Sequence, residues 1–175
     1  MTLNSNEFLK NNLSREELQQ NCLFCDVQTI DRKRIIAENS LAFAIRDGFP
    51  VTEFHTLFIP KRHTIDYFGL DPEEVTAINQ LMEAQRRFLL VTDPTIGGFN
   101  IGMNCGEIAG QSIWHCHVHM IPRRKGDVEY PKGGVRHVIP YNRDLCLAIQ
   151  DRHDPPDRYR RLTVGERHVI AHDAI

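Results

Sequence analysis

The chain has 175 residues, a hydrophobic content of 41% and a formal net charge of -2 at pH 7. These values suit one globular domain with a buried core and argue against a general nucleic-acid binder or a membrane-surface protein. No apolar run approaches the roughly 20 residues that cross a bilayer, and the N-terminus is too polar for a signal peptide. The five cysteines are odd in number and unevenly spaced, which favours reduced thiols and predicts a cytoplasmic protein.

The first 20 residues are predicted to form a surface segment with one helix, because Ser14 and Glu17 match a capping box. Cys22-Leu-Phe-Cys25 follows, and such a pair of cysteines alone is a weak indication of zinc. Two short strands, residues 34–38 and 41–46, are predicted to pair around Asn39-Ser40.

A third strand is predicted over residues 55–60. Asp71 then has the features of an N-cap, with Pro72 in the first turn of a long amphipathic helix. Asp93-Pro94 and Gly97-Gly98 are predicted to end this helix. A strand over residues 99–104 and a hairpin partner complete a pattern typical of an α+β fold with an antiparallel sheet.

Three histidines alternate within the stretch 110–123, which is predicted to be a strand that ends at Pro122. Alternate residues of a strand share a face, so the histidines would lie opposite Cys116, Val118 and Met120. One histidine in a strand is usually a half-buried polar residue. A whole face of histidines in need of hydrogen-bond partners favours a functional interpretation.

Two kinds of chemistry fit aligned imidazoles. The first is a metal site, since neutral imidazole is a common metal ligand. However, Met120 and Ile121 stand where a His-x-His-x-Asp-His hydrolase would have Asp-His, and the chain is shorter than the roughly 250 residues of a barrel amidohydrolase. The second is covalent catalysis, in which a histidine nitrogen attacks phosphorus.

The run Gly110-Gln-Ser-Ile-Trp-His-Cys-His-Val-His-Met-Ile resembles the motif of the histidine triad (HIT) hydrolases and transferases, His-φ-His-φ-His-φ-φ with φ apolar. The resemblance extends to Asp47 and His55. In the family, an Asp or Asn and then a histidine stand at this spacing, and the histidine is followed by a strand and the sequence Pro-Lys-x-His. It implies a HIT-like fold, a five-stranded antiparallel sheet with helices on one side, normally paired into a homodimer. One helix would be long, with a shorter one near the N-terminus.

The resemblance also implies roles for individual residues. His117 would be the nucleophile that takes a nucleoside monophosphoryl group. His119 would contact the phosphate and the leaving group, and Ser112 would lie near the leaving group. The residues implied to bind the rest of the substrate are Asp47, which would accept from ribose hydroxyls, Asn104, Gln111 and His55. In several family members a structural zinc is bound at the positions of Cys22, Cys25, His63 and His115, and two thiolates with two imidazoles suit tetrahedral zinc.

Two features separate this chain from the family pattern. Glu53-Phe54-His55 replaces the usual Pro-Gly-His, so the entrance to the site is expected to differ in shape, and the chain continues well past the triad. Basic residues at 61–62 and 123–125 are predicted either to form a positive rim for phosphates or to be solvated turns.

We therefore divide the chain into an N-terminal segment (1–20), a HIT-like domain (21–140) and a C-terminal extension or tail (141–175). The favoured function is a hydrolase or nucleotidyltransferase acting on a dinucleoside polyphosphate or a nucleoside phosphoramidate, with zinc purely structural. The alternatives are a zinc-stabilised nucleotide-binding or interaction module with little turnover, and a metal-dependent hydrolase that uses the histidine cluster.

Overall fold

The computed structural model describes residues 22–129 and 131–138. The helix predicted at Ser14 and the extension predicted from residue 141 lie outside these residues. The chain divides into two units, Met1–Asp127 and Val128–Ile175. In the second unit the described element is a 3-10 helix, Gly134–Val138; all of the helices and strands that follow belong to the first.

Five strands form one antiparallel sheet, as predicted. In chain order they are β1 (Ile35–Glu38), β2 (Ala42–Arg46), β3 (Thr56–Pro60), β4 (Ile96–Gly102) and β5 (Val118–Arg124). Their order across the sheet is β1-β2-β3-β5-β4. The predicted hairpin is confirmed, because β4 pairs antiparallel with β5. Among the described residues, two α-helices accompany the sheet: α1 (Leu23–Thr29) and α2 (Pro72–Thr92).

The helices cover opposite faces of the sheet, although the resemblance implied helices on one side. On one face, α2 packs on a core that includes Ala44, Phe58 and Met120. On the other face, α1 contributes Phe24 and Val27 to a second core, together with Phe43, Ile45, Leu57 and Ile59. Since paired residues of antiparallel strands share a face, the pairing of His119 with Leu57 puts His119 on the α1 side of the sheet.

Two boundary predictions were wrong for reasons of sheet position. Pro122 does not end β5, which continues to Arg124. Beyond Met120, β5 has a partner only in β4, so a residue without an N–H is tolerated there. Gly97 and Gly98 were predicted to end the helix, but they lie within β4. The register of β4 with β5 shifts between Ile96 and Gly98.

Helix α2 begins as predicted, with Asp71 as N-cap and Pro72 in its first turn. The Glu74 carboxylate accepts from the Asp71 backbone N–H at 2.9 Å, as in a capping box. Glu74 is also buried against Arg62, whose Nε donates to Glu74 Oε1 at 2.9 Å. The segment after β3 is thereby fixed to the start of α2.

The basic clusters do not form the free positive rim that was one prediction for them. Four of their five cations pair with carboxylates: Lys61 with Glu38, Arg62 with Glu74, Arg123 with Asp127, and Arg124 with Asp93. Three of these pairs join separate segments of the first unit, and the Arg123–Asp127 pair lies at the turn after β5. Within the part of the chain that the structure describes, no helix is long and apolar enough to span a membrane.

Candidate active site and metal centre

The four residues predicted to bind zinc come together in the structure. Their ligand atoms lie within 4.8 Å of one another. Cys22 Sγ is 3.3 Å from His115 Nδ1, and Cys25 Sγ is 3.5 Å from His63 Nδ1 and 3.6 Å from His115 Nδ1. Ligands at about 2.3 Å (sulfur) and 2.0–2.1 Å (nitrogen) around a tetrahedral ion stand about 3.6 Å apart. The cluster therefore already has the spacing of a closed Cys2His2 site.

The chemistry of these donors also fits zinc. His115 Nε2 lies 2.9 Å from the Pro60 carbonyl oxygen, so this nitrogen donates its hydrogen and Nδ1 keeps a lone pair facing the thiols. Burial lowers the pKa of His115 to about 4, which keeps its imidazole neutral. Burial and the neighbouring Cys22 raise the pKa of Cys25 to about 12 in the metal-free molecule. A bound cation would remove that proton.

His117 stands beside this centre but belongs to neither metal-capable group among the described residues. Its Nδ1 lies 2.8 Å from the backbone carbonyl oxygen of His115, so Nδ1 carries the hydrogen and Nε2 keeps a lone pair. Burial lowers its pKa. Phe24 of α1 packs on the ring with centroids 5.2 Å apart. The result is a buried, neutral imidazole held in one tautomer.

His119, on β5, joins His55 and Asp47 in a second cluster. His55 Nε2 lies 3.0 Å from His119 Nδ1. Asp47 Oδ2 lies 3.3 Å from His55 Nδ1 and 3.8 Å from His119 Nδ1. Burial lowers the pKa of His55, and burial together with the two neighbouring imidazoles lowers that of His119 to about 4. The rings of His117 and His119 have centroids 5.0 Å apart, so the second cluster adjoins the predicted nucleophile.

The remaining predicted site residues lie in the loops between β4 and β5. Ser112 is exposed and makes no hydrogen bond to the triad histidines among the described residues. Gln111 is buried, and its side chain binds backbone groups of neighbouring segments. Nε2 donates to the Ile65 carbonyl at 2.7 Å, and Oε1 accepts from the Gly106 N–H at 2.8 Å. Asn104 lies beyond the end of β4, exposed, with Nδ2 3.3 Å from the Gly110 carbonyl. Their contacts with substrate stay predictions.

Sequence reasoning missed two residues that adjoin the site. No role was predicted for Phe24 beyond its place between the two cysteines. In the structure its ring contacts the rings of both His115 and His117. Phe54 has a positive φ of 66° directly before His55, and its ring packs against the α2 side of the core. The substitution of Phe for the family's glycine at this position was visible, but its backbone conformation was not.

The strain at Phe54 gives a testable order of stabilities. A left-handed φ costs a residue with a Cβ about 1–2 kcal/mol, and here the ring also lies 5.3 Å from the Arg46 guanidinium. Phe54→Ala removes the packing but keeps the strain, whereas Phe54→Gly removes both. We expect the glycine variant to be the more stable of the two by about 1 kcal/mol in urea unfolding. An alanine variant of equal or greater stability would show that the strain is absent.

This fold and this cluster define a histidine triad protein, and comparison with known proteins supports that class. The HIT domain family model matches residues 28–126. The chain is 40% identical over 103 residues to a HIT-like protein of Mycoplasma genitalium, covering 58% of this chain and 72% of that protein. It is 28% identical over 134 residues to an adenylylsulfatase of Arabidopsis thaliana, covering 75% of this chain and 68% of the relative.

A similar solved structure is that of a Zn-bound histidine triad family protein from Mycobacterium smegmatis. It has 29% sequence identity and a TM-score of 0.57, with 76% of this chain and 98% of that chain covered. The chain belongs to the HIT family.

Proposed function

We propose that the protein is a nucleotidyl hydrolase or transferase that cleaves at the α-phosphate of a dinucleoside polyphosphate or a nucleoside phosphoramidate. His117 Nε2 attacks the α-phosphorus, a P–N bond forms, and the bond to the leaving group breaks. Water then cleaves the P–N bond and releases the nucleoside monophosphate. With phosphate as acceptor the same intermediate would give a nucleoside diphosphate.

The observation that supports this proposal best is the hydrogen bond from His117 Nδ1 to the His115 carbonyl oxygen, at 2.8 Å. It leaves the lone pair of Nε2 available, and the lowered pKa favours the neutral ring that a nucleophile requires. His119 is more accessible, with a side chain 24% exposed, as suits a contact with the phosphate or the departing group. The adenylylsulfatase relative is consistent with a nucleotidyl conjugate as substrate.

We also propose that Cys22, Cys25, His63 and His115 bind a structural zinc ion. The spacing of the four donors supports it, as does the Zn-bound relative. In this role the ion would fix α1 and the segment after β3 to His115, and would take no part in the reaction. The alternative of a metal-dependent hydrolase needs an ion on His117, and His117 is in neither metal-capable group of the described residues.

The homodimer and the cytoplasmic location stay predictions. Light scattering on the purified chain tests the first: a species of about twice the chain's mass of 20.2 kDa is expected. A monomer at all concentrations would contradict it.

Nucleotide release from diadenosine tetraphosphate and adenosine phosphoramidate tests the function. We expect turnover of at least one of the two, unchanged by a chelator too weak to extract a thiolate-bound zinc. Added inorganic phosphate distinguishes the acceptors, since ADP appears only if phosphate accepts the adenylyl group. Tight nucleotide binding without turnover would instead support the binding module, and loss of turnover on gentle chelation would support a metal-dependent hydrolase.

A further inference from the structure

A second set of metal-capable donors lies outside the Cys2His2 centre, at the mouth of the site. It consists of Asp47, His55 and His119, whose ligand atoms all lie within 4.8 Å of one another. The three come from different parts of the sheet: the end of β2, the residue before β3, and β5. One carboxylate and two imidazoles form a common donor set for catalytic zinc and for other late first-row ions.

Two pairs of these donors have the spacing of ligands around one ion. Two ligands each about 2.1 Å from a cation lie about 3.0 Å apart at a right angle and about 4.2 Å apart when opposite. His55 Nε2 and His119 Nδ1 are 3.0 Å apart, and Asp47 Oδ2 is 3.8 Å from the same His119 nitrogen. The contact of Asp47 Oδ2 with His55 is to the other ring nitrogen, Nδ1, at 3.3 Å, so the carboxylate would turn from Nδ1 toward the ion on binding. An ion could therefore replace the hydrogen between the two imidazoles, with His119 carrying its own hydrogen on Nε2.

The carboxylate is held in place by its surroundings. Asp47 Oδ1 accepts from the Phe49 backbone N–H at 2.9 Å, and this contact leaves Oδ2 directed toward the two histidines. Unlike the buried Cys2His2 centre, the cluster is reachable from solvent. The side chains of Asp47 and His119 are 14% and 24% exposed, respectively. An ion bound here would exchange readily and would keep open positions for water.

We infer that Asp47, His55 and His119 form a second, exchangeable site for a divalent transition-metal ion, separate from the structural zinc. The inference goes beyond the proposed function and does not depend on turnover; its test rests only on the proposed structural zinc. Occupancy would engage His119, whose ring is 5.0 Å from that of His117, and would therefore inhibit any reaction at His117.

Calorimetric titration of the zinc-loaded protein with Ni²⁺ tests the site. We expect one equivalent to bind, with the original zinc still present by elemental analysis. His55→Asn and Asp47→Asn should each weaken nickel binding about tenfold or more, because each removes one of the three donors. Glu83→Gln, an exposed change on α2, is the matched control and should bind nickel as wild type does.

Two results would overturn the inference: wild type that binds no nickel beyond its zinc, or nickel binding that is unchanged in both ligand variants. Retained zinc in the variants shows that the fold is intact. Since the two substitutions remove different ligands, either one decides the matter if the other variant fails to fold. The measurement needs no turnover, so failure of the proposed function leaves it interpretable.

Discussion

Replacing His117 with alanine is expected to reduce turnover of the nucleotide substrate by about a thousandfold or more, with little change in the affinity for nucleotide. The reason is the geometry of one ring: Nδ1 is engaged by the His115 carbonyl oxygen, and Nε2 is the nitrogen left to attack. Without it the proposed covalent intermediate would not form. Steady-state kinetics and equilibrium binding of the product nucleotide measure the two effects separately.

The matched control for this substitution is His119→Ala, a change two residues further along the chain that leaves the proposed nucleophile in place. It should slow turnover less than His117→Ala does and should still permit a covalent intermediate. If His117→Ala kept more than a tenth of the wild-type turnover, direct attack by this residue would be wrong.

Replacing Cys22 with serine is expected to lower the free energy of unfolding by about 3 kcal/mol or more and the melting temperature by about 10 °C. The substitution removes one of four donors from the proposed zinc site, where Cys22 Sγ is 3.3 Å from His115 Nδ1. The same loss would release α1, and with it Phe24, from the histidines. Thermal unfolding and zinc analysis of the same preparation measure both consequences.

Cys105→Ser is the matched control, since Cys105 is a free thiol outside the cluster. It should retain one zinc per chain and nearly the wild-type stability. Purified wild type with intact thiols and no zinc would contradict the proposed zinc site. A Cys22→Ser variant with the same melting temperature as the wild type would also contradict it.

The local pattern of the histidine strand predicted its two faces correctly. Val118 and Met120 enter the core under α2, while His119 faces the other side. A period of two is a property of the extended chain itself and needs no knowledge of its neighbours. The same reasoning could not show where the strand begins.

In the structure β5 starts only at Val118, so His115 and His117 precede it. The ladder with β3 stops at the pair Phe58–Val118, and past that point the Pro60 carbonyl accepts from the His115 side chain instead. The Pro60 carbonyl thus accepts from a side chain and not from a backbone N–H of β5, and this contact depends on where β3 lies. No pattern within residues 110–123 carries that information.

The second cluster illustrates the same limit. Asp47 and His55 were predicted as substrate-binding residues because they match positions of the family motif, yet their contact with His119 depends on the register of three strands. Likewise the basic residues at 61–62 and 123–124 were recognised, but their carboxylate partners come from other elements. The family motif and the local sequence identified the residues, and the fold determined their contacts.

The most direct test of covalent catalysis at His117 is intact-mass analysis of wild type and His117→Ala, mixed with diadenosine tetraphosphate or adenosine phosphoramidate and quenched rapidly at alkaline pH. Wild type should gain the mass of one adenylyl group, and the variant should gain none. An adduct of equal yield on His117→Ala, or turnover that persists in that variant without any adduct, would contradict the account.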